Sequence, residues 1–114
     1  MKNILVGIVV VTLFVSIIGC SKGDVDPQFR IWNERSTRAN VQIQTSGGNT
    51  ININGVDTGQ ITAYQTAAEG NITATASIQG ESVSPTTTFF AAKNVRYTVV
   101  IQTGTPPTLG IIQP

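Results

Sequence analysis

An all-β fold is what this 114-residue sequence predicts. The expected form is a small antiparallel β-sandwich of about seven or eight short strands, following a cleaved N-terminal signal helix. Three observations carry this expectation. From Gln28 onward apolar and polar residues alternate with period two, the mark of half-buried strands. Turn-forming residues fall where the alternation breaks. No helical stripe interrupts the pattern after residue 27.

Phe29 and Ile31 alternate with Arg30 and Trp32, Val41 and Ile43 with Gln42 and Gln44, and Ile51 and Ile53 with Asn52 and Asn54. Ile72, Ala74, Ala76 and Ile78 then share one parity, as do Val95, Tyr97, Val99 and Ile101, a run broken only by Val100. Thr is a frequent polar partner and favours strands. Thr86-Thr87-Thr88-Phe89-Phe90 and Leu109 to Gln113 complete the strand set. Ser46-Gly47-Gly48-Asn49, Glu69-Gly70-Asn71, Gln79-Gly80-Glu81 and Lys93-Asn94 are the expected turns. Asn54-Gly55 is the strongest hairpin signal in the chain.

The N-terminus has a different grammar. Met1-Lys2-Asn3 is followed by a nearly pure Ile, Leu, Val and Phe run from Ile4 to Ile18. A spanning helix needs roughly 20 apolar residues, and this run is shorter and meets polar residues directly after Cys20. That is the architecture of a signal peptide, with a signal-anchor helix as the alternative. Ile17-Ile18-Gly19-Cys20 resembles the lipobox of bacterial lipoproteins. The resemblance implies that the Cys20 sulfur accepts diacylglycerol, that the chain is cut before Cys20, and that further acylation, such as palmitate, secures it to a membrane. Under lipoprotein sorting rules Ser21 favours the outer membrane. The expected organisation is a signal peptide over 1–19, a lipidated Cys and polar tether over 20–27, and a β-sandwich domain over 28–114.

Composition closes many functions. Only 11% of residues are charged, against a typical ~25%, and residues 20–114 balance six basic against six acidic side chains. No basic stripe marks a nucleic-acid surface. There is no His, and the single Cys is assigned to lipid. The usual zinc, haem and iron–sulfur ligands are therefore missing, as is nucleophilic chemistry that relies on His or a free thiol. No cofactor or metal is expected.

Phe29-Arg30-Ile31-Trp32-Asn33, Tyr64-Gln65-Thr66-Ala67-Ala68-Glu69-Gly70 and Arg96-Tyr97-Thr98-Val99-Val100-Ile101-Gln102-Thr103-Gly104 resemble the strand signatures of a family of uncharacterised bacterial envelope domains. Those domains have an immunoglobulin- or transthyretin-like sandwich. The resemblance implies a fold and an envelope location, with no activity attached.

Candidate sites are few. Cys20 is the lipidation site. Trp32 and Tyr64, with Tyr97, Phe89 and Phe90, could present an aromatic surface to a glycan or a protein, although aromatics also fill small cores. Val56-Asp57-Thr58-Gly59 contains the Asp-Thr-Gly of aspartic proteases, which would need a dimer to bring two Asp57 carboxylates together. Asp and Gly also suit an ordinary turn. Asp24, Asp26, Asp57, Glu69 and Glu81 offer oxygen to calcium, but they are scattered singly. Asn71-Ile72-Thr73 matches a glycosylation triplet. The expected function is a lipid-anchored cell-envelope protein with a non-catalytic sandwich acting as a binding or assembly module. The alternatives are a purely structural envelope lipoprotein and a dimeric aspartic protease using Asp57.

Overall fold

A computed structural model describes residues 24–114; the expected signal peptide over 1–19 and Cys20 lie outside the described residues. The alternating segments form β1 Gln28–Asn33, β2 Ala39–Gln44, β3 Thr50–Val56, β4 Gln65–Thr66, β5 Gly70–Ile78, β6 Thr86–Ala91, β7 Arg96–Gln102 and β8 Thr108–Ile112. Among the described residues there is no helix. The strands make two four-stranded sheets, ordered β4-β1-β7-β8 and β3-β2-β5-β6. The all-β sandwich expected from the alternation is what the chain forms.

Each sheet turns one parity inward. Phe29, Ile31, Tyr97, Val99 and Ile101 meet Val41, Ile43, Ile53, Ile72, Ala74 and Ala76 in a single core. A fully buried Val, Ile or Phe contributes roughly 1.5–3 kcal/mol relative to exposure, so this apolar face holds the sheets together. β2 alternates strictly between buried and exposed residues. β7 is buried from Tyr97 through Ile101, which explains why Val100 breaks its alternation: the strand is central and covered on both faces.

One pairing exceeds what alternation can show. β1 and β7 run parallel, from Gln28 opposite Arg96 to Asn33 opposite Ile101, while every other pair is antiparallel. A parallel pair needs a long crossover, and here the whole second sheet serves as one.

The structure corrects the expected hairpin at Asn54-Gly55. Gly55 lies inside β3 with φ 70°, at a register shift that places one extra β3 residue between the Ala39–Val56 and Val41–Ile53 pairs. This is a β-bulge with Gly in the left-handed region. The Gly55 N–H donates to Asn40 Oδ1 at 2.7 Å, which fixes it. The chain turns just afterwards, where Gln60 N–H donates to Asp57 O at 3.0 Å.

Within the segment 20–27, expected as a polar tether, the described residues make contacts with the sandwich. Val25 and Asn94 exchange hydrogen bonds, Val25 N–H to Asn94 Oδ1 at 2.9 Å and Asn94 N–H to Val25 O at 2.8 Å. Lys93 Nζ meets Asp26 Oδ1 at 2.8 Å, and Pro27 is fully buried. The sandwich therefore takes hold of the chain from Val25 onward.

The opposite end is closed by Asn33 and Arg35. Asn33 is fully buried; its Nδ2 donates to Thr37 O at 2.8 Å and Val56 O at 3.0 Å, and its Oδ1 accepts from Arg35 N–H at 2.9 Å. Arg35 donates to Gln102 O, Gly104 O and Glu81 Oε2, tying the end of β7 to the β5–β6 turn.

Candidate functional site

The parity that buries Phe29 and Ile31 sends Arg30 and Trp32 to the outer face of the β4-β1-β7-β8 sheet. Trp32 lies opposite Val100 on β7, and Val100 lies opposite Gly110 on β8. Gly110 has no side chain, yet Val100 is only 2% exposed on this outer side. Trp32 flanks it from β1, and the Gln102 carboxamide lies over Gly110 on the other side. A bridge to Ile61, itself 46% exposed, flanks Trp32 on the other side.

Tyr64 joins the same face just before β4. Its ring carries two guanidinium groups, Arg30 Cζ at 4.7 Å and Arg96 Cζ at 4.8 Å from the ring centroid. The negative face of the aromatic ring attracts each cation. Arg30 Nε donates to Thr98 Oγ1 at 3.0 Å, and Arg96 Nε donates to Gln28 Oε1 at 3.1 Å. These contacts hold each guanidinium at its Nε edge. The carboxylates that form ion pairs in the described residues serve Arg35, Arg38 and Lys93. Neither Arg30 nor Arg96 has one.

The remaining aromatics divide. Phe89 and Tyr97 stack at 5.1 Å between centroids with a 48° tilt, packed with the core, and Tyr97 Oη accepts the Ala92 N–H at 2.9 Å. Phe90 stands on the outer face of the other sheet, 58% exposed. That face is otherwise carboxamide and hydroxyl: Gln42 lies between Asn52 and Thr75, and the Thr73–Thr88 and Thr75–Thr86 hydroxyls bond across strands at 3.0 and 3.1 Å. Two aromatics of the expected set fill the core, and Trp32 and Tyr64 stay together outside.

The carboxylates do not converge. Asp57 is exposed in its turn and paired with Arg38 Nε at 3.0 Å, with its own N–H bonded to Gln60 Oε1. Asp26 and Glu81 are each held by a single cation. Among the described residues no group of three or more His, Cys, Asp or Glu side chains is placed to hold a metal ion. The Asp-Thr-Gly of residues 57–59 is used as a turn, with Gly59 at φ 75°.

The sequence reading missed Arg30 and Arg96. Arg30 was within reach, because it shares parity with Trp32 two residues on. Arg96 was not, because it joins the cluster only through the parallel β1–β7 register.

The fold recurs in a structure described as an NMR structure of the protein from Eubacterium rectale. That structure matches with a TM-score of 0.58 and 16% sequence identity, covering 77% of this chain and 89% of that one. Identity this low carries the fold alone. No family model matches the chain, and no match is found among curated proteins.

Proposed function

We propose that this chain is a lipid-anchored cell-envelope protein, held through Cys20, whose non-catalytic sandwich is a binding module for a glycan or protein of the envelope. Its resemblance to uncharacterised envelope sandwich domains fits the same reading. The observation that carries it is the outer face of the β4-β1-β7-β8 sheet, where Trp32 and Tyr64 sit with two arginines that no carboxylate neutralises. Aromatic and Arg side chains are the residues most enriched in binding hot spots. With Val25 bound to the sandwich, only residues 21–24 separate Cys20 from the domain, a reach of roughly 15–18 Å. The face would then work close to the membrane surface. Ser21 supports the outer membrane as its place.

Two measurements test this. Intact mass of the membrane-extracted protein should show a lipid-sized excess and cleavage before Cys20, both lost in Cys20→Ser. An unmodified Cys20 would remove the anchor. Trp32 is the sole tryptophan, so its emission reports on the face directly. Envelope extract should shift that emission in the wild type, and an unchanged spectrum would count against the binding reading.

A second reading, a structural assembly role, is favoured by β6. Its six residues contain no charge, no Pro and no bulge, the devices that normally blunt an edge strand. An added partner strand would extend the β3-β2-β5-β6 sheet there. Thr88→Lys should suppress such assembly.

A further inference from the structure

We infer that the Arg30–Tyr64–Arg96 cluster is a carboxylate-recognition site, and that with Trp32 beside it the ligand is an acidic polysaccharide bearing carboxylates on its sugar rings. This deepens the binding-module reading above and rests on it. Two guanidinium cations within 4.8 Å of one ring centroid repel each other, and the ring quadrupole answers only part of that repulsion. An anion bound beside the pair offsets the rest. Both side chains are held at Nε, by Thr98 Oγ1 and Gln28 Oε1. The planar Nη edges are therefore oriented before any ligand arrives, as fork recognition of a carboxylate requires.

The rest of the face selects the kind of anion. Trp32 is on the same side of β1 as Arg30, two residues along, a spacing of about 6.6 Å. The outer face thus groups two cations and two aromatics across three neighbouring strands, with Tyr64 level with Arg30, Arg96 level with Gln28 and Trp32 further along β1. Sugar rings have apolar faces that lie on aromatic side chains while their substituents reach sideways. Beside Arg96 a depression of about 250 Å³ is lined by Val25, Asp26, Gln28, Asn94, Val95 and Arg96. The Asp26 carboxylate there is occupied by Lys93 at 2.8 Å. A polyphosphate or an anionic membrane is a poorer fit. Such partners are gathered by clusters of about four to eight basic residues, whereas residues 20–114 balance six basic against six acidic side chains. A neutral domain holds its anion by contact, with stacking sharing the work.

The test is titration of the purified full chain, reconstituted in nanodiscs of neutral lipid, followed by calorimetry and Trp32 emission. The probes are an oligogalacturonate, its methyl ester, which keeps the rings and removes the charge, and vesicles of anionic phospholipid. The oligogalacturonate should bind roughly tenfold or more tightly than the ester, and binding should weaken with salt. Arg30→Gln and Arg96→Gln should each weaken it about tenfold, as expected for loss of a charge-assisted contact, with cooperative unfolding retained to show intact folding. Equal affinity for acid and ester, or indifference to both arginine variants, would overturn the carboxylate site. Binding to vesicles alone would overturn it in favour of a lipid surface. If an uncharged glycan or a protein from the envelope shifts Trp32 emission while the oligogalacturonate does not, the binding module stands and the carboxylate assignment falls. If nothing binds the folded chain, both fall.

Discussion

Asn33 shows how a polar residue can close an apolar core. It shares the inward parity of Phe29 and Ile31 and is fully buried, but its carboxamide satisfies Thr37 O, Val56 O and the Arg35 N–H together. Asn33→Leu keeps the volume and strands those groups, so it should cost about 2–3 kcal/mol. Denaturant unfolding measures this, and an unchanged midpoint would deny Asn33 the role. Arg35, with its side chain 12% exposed, joins three acceptors at the same end. Arg35→Ala should cost about 2 kcal/mol, since a charge-assisted hydrogen bond contributes more than a neutral one. At the tether end, the hydrogen bond to Asp26, followed by the charge of Asp26, raises the Lys93 pKa above its ordinary 10.5. The stabilisation is complete below that value and is lost as pH rises through the raised one. Thermal unfolding should therefore show wild type and Asp26→Asn converging above pH 10.5, and a gap that widened there would contradict the pairing.

At the scale of elements, two glycines are required for different reasons. Gly55 gives β3 its bulge with φ 70°. Gly70 starts β5 at φ 132°, where a Cβ would lie 2.6 Å from Ser46 Cβ and Oγ, while Ser46 Oγ donates to Glu69 O. Gly70→Ala should cost about 2–3 kcal/mol through backbone strain and overlap. Adding Ser46→Gly should recover the overlap part but not the strain. Strictly additive costs in the double variant would show that Ser46 and position 70 do not meet. These elements also show what a sequence can reveal. The long strands were legible because buried and exposed residues alternate. β4 was not, because Gln65 and Thr66 are both exposed and leave no apolar trace. Asn54-Gly55 misled because a left-handed Gly serves a hairpin turn and a bulge equally well. What decides is the β2–β3 register and the Asn40 side chain that fills it.

On the scale of the molecule, the chain is organised by the parallel meeting of β1 and β7, whose partners are 68 residues apart along the sequence. That register builds the outer face by placing Arg96 level with Gln28, within reach of the Tyr64 ring. The outward parity of Trp32 could be read locally. The position of Tyr64 could not, since it lies in an irregular segment, and neither could the approach of Arg96. We propose that this face meets an envelope partner while Cys20 holds the domain beside the membrane. The most direct measurement is photocrosslinking in intact cells, with a photoreactive residue at Ile61 beside Trp32 or at Thr75 on the opposite sheet. A defined adduct is expected from position 61, diminished by Trp32→Ala, and none from position 75. Adducts from position 75 alone, or from neither position, would contradict it.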